Sequence, residues 1–195
     1  MFAVIEFVGT IILASMLTLT VFKMKFDTQQ SLFKSKLMLY MQSNSAIFGQ
    51  VLRNDLKDAG YNITDIYKCI KSIDEKSISY TADMDNNGVP ELTVIAVENY
   101  SGDDPTVNPF DKKIVKYTDG VPEVYDIKGV TDFKFTYFDK NMQETSVTSE
   151  VKIIDFKYKL LSDEPVDYRS GINDSSKYAM VIGEEKVFLK NIWDW

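Results

Sequence analysis

From Phe2 to Phe22 the chain is apolar except at Glu6 and at the mildly polar Gly9, Thr10, Ser15, Thr18 and Thr20. A run of that length crosses roughly 30 Å of hydrocarbon as a helix. Beyond Phe22 the helical period persists, but the apolar residues narrow to one stripe. Phe26, Phe33, Leu37, Tyr40, Ile47, Val51 and Leu56 recur mainly at steps of three, four and seven, while Lys34, Lys36, Gln42, Ser43, Asn54 and Lys57 lie mostly off that face. No proline occurs before Pro90, and the first strong stop is Ala59-Gly60, where glycine can take the left-handed conformation that closes a helix. The pattern therefore predicts one helix from about residue 2 to about residue 59, roughly 85 Å long at 1.5 Å per residue.

From Tyr61 the period changes to two. Ser77 to Ala82 alternates, Asp83 to Gly88 turns, and Glu91 to Glu98 returns as a more buried strand, which together predict a hairpin. Asn99 to Pro109 reads as an exposed loop and Lys113 to Tyr117 as a short strand; Asp119-Gly120 is a hairpin signal leading into a strand over Glu123 to Ile127. Val130 to Tyr137 alternates with aromatics on one face, Asp139-Lys140-Asn141 marks a turn, and Val151 to Leu160 predicts a long strand. Ser162 to Ser176 is a polar loop. Tyr178 to Ile182 and Lys186 to Leu189 predict a last hairpin around Gly183-Glu184-Glu185, ahead of the aromatic end Trp193-Asp194-Trp195.

One long helix followed by antiparallel strands with short turns is an α+β arrangement, in which the stripe from Phe33 to Leu56 becomes core against the sheet. Three regions follow: 1–25, the membrane or filament-core half of the helix; 26–60, its amphipathic half; and 61–195, a β-rich globular head. Because no basic region precedes the apolar run and no small-x-small cleavage site follows it, the run is expected to stay in the chain instead of being removed as a secretory signal. Lys23 and Lys25 follow the run and nothing basic precedes it, a charge pattern that favours an outside N-terminus.

Charge and inventory remove most other functions. The net charge of -7 argues against nucleic-acid binding, whose affinity comes from neutralising phosphates. Without any histidine the chain cannot build a Ser-His-Asp or Cys-His nucleophile or a His-ligated zinc site, and its single cysteine, Cys69, rules out an intrachain disulfide and reads as a small buried apolar residue. Asp103-Asp104 and Glu184-Glu185 fall in predicted loops with no apolar pocket implied, so they read as solvated turn residues instead of an acid and base pair. Trp193 and Trp195 are candidates to seal the sheet end or to contact a neighbouring chain.

Two features carry chemistry. Glu6 is a carboxylate inside an apolar segment, which costs roughly 2 to 4 kcal/mol on insertion scales and calls for a partner or a headgroup to snorkel to; an interchain ion pair is the sharper reading. The second feature is Asp83-Met84-Asp85-Asn86-Asn87-Gly88-Val89-Pro90-Glu91. It places oxygen ligands Asp83, Asp85, Asn87 and Glu91 at positions 1, 3, 5 and 9 of a calcium loop, with Gly88 at position 6. Position 12 is Val94 instead of a bidentate glutamate, so the loop is either a solvated Asx-rich turn or a weak calcium site.

These residues resemble a type IV pilin-like subunit. Phe2-Ala3-Val4-Ile5-Glu6-Phe7 is similar to the start of mature pilins and pseudopilins, with Glu6 at the family's glutamate. Leu52-Arg53-Asn54-Asp55-Leu56-Lys57-Asp58-Ala59-Gly60-Tyr61 is similar to the helix end of PilW-type minor pilins and of J-type minor pseudopilins of type II secretion. The closing Val187-Phe188-Leu189-Lys190-Asn191-Ile192 is similar to the end of that group. The resemblance implies a minor, non-enzymatic filament subunit of a type IV pilus or pseudopilus, with no cofactor beyond possible calcium. Its partners would be other pilin or pseudopilin subunits, packed through N-terminal helices and held partly by Glu6 against a neighbour's N-terminal amine; Phe2 and Glu6 are then the assembly residues.

It also implies residence in the inner membrane before assembly, with the N-terminus inside and an extracytoplasmic head, then a cell-surface or periplasmic filament. That orientation opposes the lysine pattern and outweighs it, since two lysines are few. Aligning Phe2 with the mature first residue leaves Met1 ahead of it and no leader ending in glycine, and the helix-kinking proline common in pilins is missing, so the helix is expected to run straight there. The competing reading is a single-pass anchored binding or secretion-envelope protein that never polymerises.

Overall fold

The computed structural model describes residues 2–65, 68–100, 108, 110–166 and 178–193. The helix α1 spans Phe2–Lys57 without interruption, and the chain divides into two compact units, Met1–Leu39 and Tyr40–Trp195. The helix ends where Gly60 takes φ +76°, as the Ala59-Gly60 signal predicts.

Among the described residues eight strands follow: β1 Ile70–Asp74, β2 Ser77–Ala82, β3 Glu91–Asn99, β4 Lys112–Thr118, β5 Val121–Val124, β6 Val130–Phe138, β7 Ile153–Pro165 and β8 Tyr178–Phe188. All pairings are antiparallel. They form a five-stranded sheet in the order β1-β2-β3-β4-β5 and a three-stranded sheet in the order β6-β7-β8. The fold is one long N-terminal helix plus antiparallel sheets, the pilin-like α+β architecture.

Inside the second unit, Met41, Ser45, Phe48, Gly49, Leu52 and Leu56 of α1 are buried against the sheets. Phe48 sits edge-on to Tyr125, Phe133 and Tyr158, with ring centroids 6.1, 6.4 and 4.9 Å away, and Phe133 continues the aromatic layer to Phe135 and Phe156. Burial of such side chains stabilises by roughly 1.5 to 3 kcal/mol each, so this face holds the helix to the head.

The core face is therefore not the predicted stripe. Phe33, Tyr40, Ile47 and Val51 are exposed and only Leu56 is both predicted and buried, because three large core residues stand one position beyond predicted ones: Met41 after Tyr40, Phe48 after Ile47, Leu52 after Val51. One position is about 100° round the helix. The true stripe includes Ser45 and Gly49, which a search for apolar residues passes over. They are small because the Tyr158 ring lies there: its hydroxyl is 3.0 Å from Ser45 Oγ and donates to the Ser45 carbonyl at 2.7 Å, and a Cβ on Gly49 would stand 3.0 Å from it.

Four strands differ from expectation. Tyr178 to Leu189 is not a hairpin: β8 runs straight through Gly183-Glu184-Glu185 and pairs with β7 along its length. Gly183 lies opposite Tyr158, and a Cβ there would be 2.1 Å from the ring, so the glycine serves a close approach and not a turn. Strand β1 was not anticipated, since its register shifts between Ile70 and Ser72 and its Glu75-Lys76 turn contains no glycine or asparagine. Strand β7 extends to Pro165 and β5 occupies Val121–Val124 instead of Glu123 to Ile127. The Asp119-Gly120 turn stands as read, with φ 49° and 83° at its two positions.

Candidate functional site

The first unit is a bare apolar helix. From Phe2 to Lys36 every described residue except Gly9 is exposed, Phe2 at 85%, and this helix is long and apolar enough to cross a membrane. From Phe2 to Phe22 the hydroxyls make no outside demand: Thr10 donates to the Phe7 carbonyl, Ser15 to Ile11, Thr18 to Ala14 and Thr20 to Met16, each at 2.8 Å. Between Phe2 and Phe22 Glu6 is the one ionisable group, and among the described residues it has no partner. Phe2 and Glu6 are one helical turn apart, four residues on one side.

The helix end is a polar clamp. Asp55 accepts from Lys116 Nζ at 2.7 Å and from the Tyr125 hydroxyl at 2.5 Å, while the Tyr80 hydroxyl donates to the Asp55 carbonyl at 2.6 Å. Burial, with the Asp55 charge beside them, pushes both tyrosines well above their ordinary range, so they remain hydrogen-bond donors at any physiological pH. Arg53 pairs with Glu185 of β8.

Two of the three motifs quoted for the pilin resemblance, Leu52–Tyr61 and Val187–Ile192, meet here. Asn191 Nδ2 donates to the Lys57 and Ala59 carbonyls at 2.9 and 3.3 Å, which are orphan acceptors of the helix terminus, and Ile192 packs so close to Gly60 that a Cβ there would stand 2.6 Å from it. Lys152 donates to the Ile192 carbonyl, fixing the same segment from β7's side. The sequence shows these motifs 130 residues apart; their shared purpose, closing one helix end, is visible only in three dimensions.

The acidic loop is adjacent. Asp83, 1% exposed, accepts from the Asn87 and Gly88 amides at 3.0 and 3.1 Å and from Asn62 Nδ2 at 2.6 Å. Asp85 Oδ1 accepts from the Asn87 amide at 3.1 Å, Glu91 from the Met84 amide at 3.0 Å, and Asn87 Oδ1 from the Val89 amide at 2.7 Å. Carboxylate oxygens of Asp83, Asp85 and Glu91 lie within 4.8 Å of one another, so the structure brings the predicted ligands together. Val94, at the twelfth position, is in β3 opposite Ser79 and Tyr117 and offers no side-chain oxygen. The loop satisfies itself as an Asx turn, with three carboxylates gathered on it.

Asp111 is a group the sequence did not single out. Burial first and Asp163 second push its carboxyl up to about 7, and its Oδ1 has no hydrogen-bond partner. No local motif marks it. Of the remaining expectations, Cys69 is buried, Glu184 and Glu185 are strand residues, and Trp193 lies edge-on to Phe188 at 5.7 Å; Asp103, Asp104 and Trp195 fall outside the described residues.

No family model matches the sequence, and no curated protein matches it. Among solved structures the chain is similar to a type IV-like pilin from Thermus thermophilus, at 12% identity, covering 78% of this chain and 98% of that one with a TM-score of 0.51. At that identity the likeness establishes the pilin-like fold.

Proposed function

We propose that this chain is a structural subunit, a minor one, of a type IV pilus or pseudopilus. The observation that carries the reading is the exposed apolar helix from Phe2 to Phe22, whose hydroxyls are satisfied internally and whose one carboxylate, Glu6, has no partner among the described residues. Before assembly the segment lies in the inner membrane with the head on the extracytoplasmic side. In the filament it packs among the helices of other copies or related subunits, and Glu6 meets a neighbour's N-terminal amine beside Phe2. The exposed second stripe of Tyr40, Ile47 and Val51 supports packing that continues past the membrane segment. The resemblance of Leu52–Tyr61 and Val187–Ile192 to PilW-type pilins and J-type pseudopilins favours a minor role.

This reading gives the chain no reaction and no cofactor beyond a weak calcium site at Asp83, Asp85, Asn87 and Glu91. The test is to shear surface filaments from cells and look for the chain among the fibres, with its N-terminus sequenced. Recovery only as a membrane monomer, with Glu6→Ala behaving like the parent, would leave the single-pass anchored protein as the better account.

A further inference from the structure

The two outer strands, β5 and β8, are built differently. Strand β5 is four residues long and contains Pro122, opposite Tyr117, both of which blunt an edge against further pairing. Strand β8 has eleven residues and no proline, keeps an unbroken register with β7 from Met180 to Phe188, and among the described residues pairs with β7 alone. Its solvent face reads Met180, Ile182, Glu184, Lys186, Phe188.

We propose that β8 is a homotypic pairing edge: two copies of this chain join antiparallel through β8 about an axis at Glu185, making one six-stranded sheet from two three-stranded ones. The register follows from charge. Antiparallel partners must lie on the same face, so β8 can meet itself only in registers two residues apart. Centred on Glu185, Glu184 of each copy faces Lys186 of the other, and Ile182 faces Phe188, so the solvent face acquires two ion pairs and two apolar pairs. One step either way sets Glu184 against Glu184 or Lys186 against Lys186, like charges that disfavour the pairing. At the axis the two Glu185 side chains each keep their own Arg53. Lys157 lies 3.0 Å from one Glu184 oxygen, leaving the other for the second copy. The inference goes beyond the filament role and stands whether or not the helix polymerises.

The test uses the full chain in detergent. Chains carrying Ile182→Cys and chains carrying Phe188→Cys are mixed and mildly oxidised; Cys69 is buried and stays in place. The register predicts cross-links between the two kinds of chain and few within either alone. Glu184→Lys on both should slow the link about fivefold, the loss of two exposed ion pairs, and adding Lys186→Glu should restore it. A second pair, Glu184→Cys with Lys186→Cys, repeats the test within the strand without disturbing Phe188. Absence of a link for both pairs, equal linking within each single variant, or a charge reversal that the double swap does not rescue would overturn the proposal.

Discussion

The residues before Leu39 and those from Met41 to Leu56 belong to one α-helix, yet they meet opposite environments. The first stretch is exposed on every side; the second buries six residues against the sheets and leaves Tyr40, Ile47 and Val51 outside. Both stretches carry apolar surface that wants cover, all round the helix in the first and on stripes in the second. What differs is who supplies it. The head covers one stripe of the second stretch, whereas the first stretch is a bare helix. An apolar surface left bare in one copy is met by lipid or by other chains.

The sharpest way to break that comparison is a pair of substitutions one residue apart. Phe48, 4% exposed, fills the aromatic layer, and Phe48→Ala should cost roughly 3 to 5 kcal/mol of head stability, read by denaturant unfolding. Ile47, 59% exposed, should cost under about 1 kcal/mol as Ile47→Ala, with any loss falling on filament formation instead. Equal costs at the two sites would mean that the inner and outer stripes are misassigned.

A pH term should belong to the head. With the folded carboxyl of Asp111 at about 7 and an ordinary value of 3.8 when unfolded, the folded state holds a proton that the unfolded state releases between those values. Stability therefore falls as pH rises from about 4 to about 7, by something on the order of 1 to 3 kcal/mol, and levels off above. Asp111→Asn should flatten this slope while leaving detergent binding by the helix unchanged. A variant with the parent's slope would assign the pH term to other groups.

Asn191→Ala removes the donors that close the buried stretch of the helix. It should cost about 1 to 2 kcal/mol and speed hydrogen exchange at residues 52–60 more than at residues 10–30. Uniform exchange along α1 would sever the link between the closing motif and the helix end. The smallest effect is calcium. Three carboxylates and one amide are a sparse ligand set, so millimolar calcium should stabilise the head by at most about 1 kcal/mol, and Asp85→Asn should abolish the shift. A thermal midpoint indifferent to calcium returns the loop to a plain turn.

The long helix, its stop at Gly60 and most strands were legible because each rests on a local period or on a turn residue with a fixed conformational use. What misled was chemistry that only a distant residue explains. Gly183 looks like a turn until Tyr158 is placed across from it, and Gly49 and Ser45 look like breaks in a stripe until the same ring is placed beside them. Strand β1 was hidden by a bulge and by a turn without its usual residues. At the candidate sites, Asp83, Asp85 and Glu91 stand close together within one short loop, where spacing alone is informative, while Asp111 gave no sequence signal because the groups that act on it, Asp163 and Gly129, are distant in the chain.

The central claim is that the bare half of the helix is covered by other subunits, with Glu6 as the contact that needs one. The most direct measurement is the amount of this chain in filaments sheared from cells carrying the parent, Glu6→Ala or Glu6→Gln, with membrane levels compared in the same cells. The account predicts the chain in the fibres for the parent, with both variants retained in the membrane and depleted from the fibres. Equal incorporation of all three, or no incorporation of the parent, would contradict it.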